Sequence, residues 1–415
     1  MRKRRIISAV SFILSLTLML TFWGCGTTVK AEDLMEGITA SKVDGKNSDE
    51  KFLDSQLNFA IQLLRQNGGA TDNTVMSPAS IAQALAMVAN GTDGETLKQI
   101  ETVLGKGISI DDLNRYYYSF LQNLRSDNTL TSVNSVWFNE TIAVKRDFLQ
   151  KNADYYGADA YATPFDADTA EDINNWVSNK TNGLIPEIVD SVDSSMVSII
   201  LNAMYFNAEW EEKYEDTDLK DYQFTSVTGE KQRATYMISY ENYISDNKTF
   251  EGIMKHYKGK KYAFVAVKSM DKRIGAEPDY TKFITEDLNS EALMKAMKNI
   301  NEGARTYIPK FKIEYADSQI EALKKMGITD VFDPEKANLS GISNNSSYIS
   351  SAVHKAVIDV NEHGTEAAAA TQMTDVISSS SGKTKTVAFD CPFIYMIIDA
   401  ETLLPVFIGS VTSMN

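Results

Sequence analysis

Residues Met196 to Phe206 read MVSIILNAMYF, an extended run with almost no polar interruption. A strand with one wet face alternates apolar and polar residues. This one does not, so it must be covered on both sides, at the centre of a sheet with other layers against each face. Further strands are expected over Lys261–Val267, Thr306–Glu314, Tyr348–Val360, Thr384–Ile398 and Leu404–Val411. The first half of the chain is helical. Phe52-Leu53, Leu57, Ala60-Ile61 and Leu64 recur at helical spacing. A second helix opens with Ser77 as its cap and Pro78 at its first position, and buries Ile81, Ala84-Leu85 and Val88. A third runs from Gly94 to Leu104, and a fourth from Ser109 through Leu113, Tyr117, Phe120 and Leu124. A fifth, over Ala170–Val189, carries Trp176. Helices ahead of strands predict an α+β fold with helices around large mixed sheets. Neither a repeat nor a composition break divides residues 49–415, so they are expected to form one domain.

Residues 1–24 have the pattern of an export signal, a basic start followed by the uncharged apolar run Ile6 to Trp23. Two processing sites compete. Gly24-Cys25 resembles a bacterial lipoprotein junction, with lipidation at Cys25 as the membrane attachment. Cleavage after Ala31 would instead release a secreted chain. The expected location is extracellular, as a cell-surface lipoprotein or in free form. Residues 25–48 are polar and small and are expected to form a tether. Loss of Arg2, Lys3, Arg4 and Arg5 with the leader takes the net charge from −15 to −19. A surface this acidic repels phosphate backbones, which excludes nucleic acid as a partner. Cys391 is the only cysteine besides Cys25, so no disulfide framework is expected.

The sequence lacks the groupings that carry hydrolysis or metal chemistry. His256, His354 and His363 are its only histidines, and none is paired at metal-ligand spacing. It has no C-x-x-C, no G-x-S-x-G and no phosphate-binding glycine loop. No catalytic residue, metal or cofactor is expected, and the chain does not read as an enzyme.

One segment remains. Gly364, Thr365, Glu366, Ala367, Ala368, Ala369, Ala370 and Thr371 combine small side chains, and no proline occurs from Glu362 to Ser381. EAAAA favours helix, whereas Ser378 to Gly382 favours an exposed loop. One strand is expected before this segment and two after it. A long loop in that position is usually functional; the bland alternative is an Ala/Ser-rich linker.

The surroundings decide between the two. AVHKAVIDVNEHGTEAAAAT, ending at Thr371, resembles the hinge of the serpin family. NTVMSPASIAQALAMVANGTDGET (Asn73–Thr96), INNWVSNKTNGLIPEIV (Ile173–Val189) and ILNAMYFNAEWEEKY (Ile200–Tyr214) are similar to further serpin segments. So are IPKFKIEYADSQIEALKKMGITDVFD (Ile308–Asp333) and FDCPFIYMIIDAETLLPVFIGSV (Phe389–Val411). The resemblance runs in family order from Phe52 to Val411, and with the leader it points to an exported bacterial member.

It implies a suicide mechanism. A serine-type protease cuts the loop, forms an acyl-enzyme, and is carried along as the loop's N-terminal arm inserts into the main sheet. By the same resemblance Glu362 to Thr371 form the hinge. Ser77, Ser80, Asn202 and His354 form a buried shutter where the sheet parts, and Trp210 marks the start of insertion. Counting sixteen residues from Glu362 puts the reactive bond at Ser378-Ser379. Counting back from Pro392 gives Ser381; the hinge count is preferred because the trapping arm must have a fixed length. A small residue at Ser378 points to elastase-like or subtilisin-like proteases acting on a monomeric inhibitor. The competing implication is a non-inhibitory serpin acting as a binding protein. Asp375 shares the parity of Thr365 and is expected to face inward on insertion, where an unpartnered carboxylate is costly.

Overall fold

The computed structural model describes residues 29–68, 72–124, 129–270, 279–300, 302–365 and 385–414. Six helices matter for the site: α1 (Glu50–Asn67), α2 (Pro78–Ala89), α3 (Gly94–Gly105), α4 (Ile110–Leu124), α5 (Arg146–Tyr156) and α6 (Ala167–Lys180). The strands in chain order are β1 (Glu32–Asp33), β2 (Thr74–Met76), β3 (Leu130–Asn139), β4 (Asp159–Thr163), β5 (Ser198–Phe206) and β6 (Ala208–Glu209). There follow β7 (Leu219–Thr225), β8 (Lys231–Ser245), β9 (Phe250–His256), β10 (Tyr262–Ser269), β11 (Gly303–Pro309) and β12 (Phe311–Ser318). The last are β13 (Ser351–Asn361), β14 (Gly364–Thr365), β15 (Lys385–Ala388), β16 (Phe393–Asp399) and β17 (Pro405–Val411). They form two mixed sheets. One has eight strands in the order β1-β4-β3-β5-β13-β14-β6, with β12 on the other side of β13. The second has nine, in the order β15-β11-β8-β9-β10-β16-β17-β2, with β7 beside β8.

The apolar run at 196–206 becomes β5, paired on one side with β3 and on the other with β13. Ile200, Met204 and Phe206 enter the main core, while Ile199, Leu201 and Ala203 enter a second core with Trp137, Trp176 and Val177. Layers on both faces explain why the strand carries no alternation. Helix α2 is buried over its whole length rather than on one stripe. Its cap is as expected: Ser77 accepts from the Ser80 amide at 3.2 Å, with Pro78 in the first turn.

Three expectations are corrected. The run Ala170–Val189 is not one helix: α6 ends at Lys180, and Asn182 and Gly183 take positive φ. Thr306–Glu314 divides at Pro309-Lys310 into β11 and β12, which belong to different sheets. Thr384–Ile398 also divides, into β15 and β16, which stay in the same sheet but on different neighbours.

The expected tether also differs from residue 29 onward. Val29 and Ala31 pack on the second core, and the Lys30 amide donates to Asp172 at 2.9 Å. Glu32 and Asp33 pair with Ala162 and Tyr161, covering the edge of β4. Leu34, Met35 and Ile38 lie against the main core, and Arg146 and Gln150 of α5 hold the carbonyls of Gly37 and Thr39. Polar composition had suggested a free segment, but Val29, Ala31, Leu34, Met35 and Ile38 are spaced so that each finds a surface. Residues 1–28, including the leader and Cys25, lie outside the described residues.

Candidate functional site

Strand β13 has two different neighbours along one edge. Its lower half, Ser351 to Lys355, pairs in parallel with Ile199 to Ala203 of β5. Its upper end pairs antiparallel with β14, Val360 with Thr365 and Asn361 with Gly364. β14 in turn pairs with β6, Gly364 with Glu209 and Thr365 with Ala208. Among the described residues, no ladder on this edge joins Ala356–Asp359 to β5. Among the described residues the sheet is therefore closed below, open in the middle, and occupied at the top by Gly364 and Thr365.

The upper end is tightly specified. Gly364 has φ 155°, and a Cβ there would collide with the Ala208 carbonyl, so glycine is required. Thr365 is 1% exposed and its hydroxyl bonds the Tyr257 hydroxyl at 2.6 Å. The Tyr257 ring stacks on Trp210 at 4.5 Å between centroids. The Trp210 amide donates to the His363 carbonyl at 3.0 Å, and its indole N–H donates to the Asn361 carbonyl at 2.8 Å. Lys310 contacts Glu362 at 2.6 Å. Burial opposes the Glu362 charge, but Lys310 and a backbone amide outweigh it and hold the carboxyl below its usual range. Beneath Trp210 lies Lys255, 4.6 Å from the Tyr214 ring and 5.5 Å from the Trp210 ring, and paired with Glu241 at 2.6 Å.

The lower, closed part is polar inside. Asn202 of β5 and His354 of β13 are direct ladder partners, and both are buried. The Ser77 amide donates to His354 Nε2 at 2.9 Å, so the imidazole proton is on Nδ1. Burial pushes the His354 pKa down to about 3, which keeps the ring neutral. Asn202 donates to Asn134, and Asn134 donates to Gln83 at 3.2 Å. The Ser77 hydroxyl donates to the Val406 carbonyl at 2.7 Å. Four buried polar atoms at this junction have no partner among the described residues: Ser80 Oγ, Gln83 Nε2, Asn202 Oδ1 and His354 Nδ1.

Ser77, Ser80, Asn202 and His354 thus lie together at the closed part of the sheet, and Glu362, Gly364, Thr365 and Trp210 at its upper end. Glu366 to Thr371, Asp375, Ser378 and Ser379 lie outside the described residues. The sequence reading missed Asn134, Gln83, Tyr257, Lys310 and Lys255. Asn134 and Gln83 carried a usable signal as polar residues within buried apolar runs. The others meet the hinge only through the tertiary fold.

Comparison with known proteins agrees with this geometry. The profile of the family described as Serpin (serine protease inhibitor) matches residues 54–414. The chain is 32% identical over 375 residues to Leukocyte elastase inhibitor A of Rattus norvegicus, covering 86% of this chain and 97% of that protein. Among solved structures it is similar to the thermophilic serpin tengpin. The native state matches with TM-score 0.85 and 39% identity, covering 93% of this chain and all of that one. The latent state matches with TM-score 0.75 and 37% identity over 89% of this chain and all of that one. The arrangement described here is the nearer to the native form.

Proposed function

Because the chain belongs to the serpin family of serine protease inhibitors, we propose that it traps its protease once, as a suicide substrate, by loop cleavage, acyl-enzyme formation and strand insertion. Serpins are protease inhibitors, and this chain is not an enzyme. The observation that carries the reading is β14, Gly364 and Thr365 already seated at the head of a gap that no other described residue fills, and continuous with the bait, the loop segment up to Ser381.

The ladders supply a register for the rest of the arm. Val360 and Ala208 flank Thr365, and His354 pairs with Asn202, so the offset across the gap is the same at both ends. Continued in step, inward positions fall at Ala367, Ala369, Thr371, Met373 and Asp375. Ala367 and Ala369 enter the gap with little bulk. Thr371 arrives between His354 and Asn202, where its hydroxyl can accept from His354 Nδ1–H and donate to Asn202 Oδ1. One side chain thereby satisfies an orphaned donor and an orphaned acceptor of the closed gate. Asp375 arrives between Ser350 and Ser198, so two hydroxyls flank its carboxylate. About a dozen new ladder bonds at ~0.5–1.5 kcal/mol give on the order of 10 kcal/mol. Loss of one oxyanion donor in the protease costs it about 3–4 kcal/mol of catalysis, so the drive suffices.

The bond assigned is Ser378-Ser379, and elastase-like or subtilisin-like proteases are the targets, because a small uncharged residue cannot engage a deep charged pocket. Lys383 lies too far along the arm for trapping, so trypsin should cut there without being held. The place of action is outside the cell. Lipidation at Cys25 would put the body close to a membrane: residue 29 is fixed on the fold, and the four steps between span at most about 14 Å. Cys25→Ser should then move the protein from the membrane fraction to the medium. The test of inhibition is titration of subtilisin with the purified protein. Irreversible loss of activity near one-to-one stoichiometry supports the proposal; turnover of the chain as an ordinary substrate, or no effect, contradicts it.

A further inference from the structure

A cleft of about 340 Å³ lies beside the upper end of the gap, lined by Glu211, Glu212, Tyr240, Glu241, Lys260 and Gly303 among others. Its position relates it to both ends of the bait. Glu211 and Glu212 follow Trp210, whose amide holds the hinge turn at the His363 carbonyl. Across the cleft, Gly303 adjoins Glu302, which pairs at 2.7 Å with Lys385, the first described residue after the bait. A protease that engages residues 366–384 would approach between these two anchor points.

The cleft is also shaped. Tyr240 is 60% exposed, the most exposed large hydrophobic residue among those described. Its ring lies directly over Gly303, where any Cβ would collide with it. Glycine at this position seats the aromatic ring against β11 with one face open. Glu211 and Glu212 are exposed at the rim. Glu241 is neutralised by buried Lys255, and Lys260 offsets one of the remaining carboxylates, which leaves the cleft with a net negative charge of one. Glu211 also accepts the Gly259 amide at 2.9 Å; an open aromatic face beside the exposed Glu212 carboxylate suits a guanidinium or ammonium group. The net charge of −15 favours approach of a basic surface in the same direction.

We propose that this cleft is a second docking site for the captured protease, one that takes an arginine or lysine side chain from the protease surface next to its active site. The proposal rests on the inhibitory reading and adds a determinant of partner choice outside the bait. Charge at an interface rim acts chiefly on association rate and its salt dependence. The probe is leukocyte elastase, a cationic enzyme, with the second-order rate of adduct formation measured at low and high salt. Tyr240→Ala, Gly303→Ala and Glu212→Lys should each slow adduct formation about tenfold at low salt and flatten its salt dependence, with stoichiometry and cleavage site unchanged. Gly303→Ala displaces the ring without deleting it, and melting curves confirm that all three variants fold. Rates within twofold of the parent chain in all three overturn the docking site while leaving the trapping mechanism intact. Failure of the parent chain to form any adduct overturns both.

Discussion

Thr365→Arg tests the head of the gap. Thr365 is 1% exposed, flanked by Val360 and Ala208, and bonded to Tyr257 at 2.6 Å. A guanidinium there would be buried without a partner, at a cost of several kcal/mol. The chain has a less costly response, which is to expel Gly364 and Thr365 from the sheet. Expulsion loses the hydroxyl bond and the few ladder bonds of a two-residue strand, about 2–5 kcal/mol at ~0.5–1.5 kcal/mol each. The variant should therefore fold, with a melting midpoint a few degrees lower, and its bait should still be cut. Insertion, however, would have to start by burying the arginine. The expected outcome is conversion from inhibitor to substrate, read on denaturing gels as cleaved chain without protease adduct. Thr365→Ser keeps the hydroxyl and the volume and should retain the adduct. Normal adduct yield from Thr365→Arg would refute the argument that insertion proceeds from this position.

Cleavage within the bait should raise the melting midpoint sharply, because the open gap makes the intact form a kinetic trap; an unchanged midpoint after nicking would count against a filled gap. His354 should make the intact form acid-sensitive. Its folded pKa of about 3 lies below the ordinary 6.5, so the unfolded chain binds the extra proton and stability falls as pH drops below 6.5. The loss is about 2 kcal/mol at pH 5; His354→Asn should show a flatter stability profile between pH 7 and 5, and an identical profile would argue against a buried neutral ring. Glu362→Lys replaces the 2.6 Å contact with Lys310 by a repulsion and should lower the midpoint by a few degrees. Adding Lys310→Glu should restore most of the loss, and failure to do so would show that the pair does not hold the turn.

What the sequence disclosed and what it hid divide along physical lines. β5 was legible because burial on both faces leaves an unbroken apolar run, and α2 because Ser77 and Pro78 mark its start chemically. Gly364 and Thr365 stood out as the start of a run of small residues, and Asn202 because a polar residue in such a strand must be answered. β7, β8 and β9 were not legible: LKDYQFT in β7 has a mostly exposed pattern, and its strand character comes from pairing with β8. The break at Pro309-Lys310 was hidden because extended backbone continues while the chain changes sheet, and the one before Phe393 because β15 and β16 lie in the same sheet on different neighbours. Tyr257 and Lys310 were hidden for a different reason. Each is far from the hinge in sequence, and only the two-sheet packing brings Tyr257 to Thr365 and Lys310 to Glu362.

The central claim is that a cut bait holds its protease covalently at a defined bond. The most direct measurement is the intact mass of the complex formed with subtilisin, after denaturation, together with the mass of the released peptide. The account predicts a complex equal to protease plus residues up to Ser378, and a free peptide running from Ser379 to Asn415. Cleaved chain with no covalent complex would contradict trapping, and a peptide beginning at Thr384 would contradict the assigned bond.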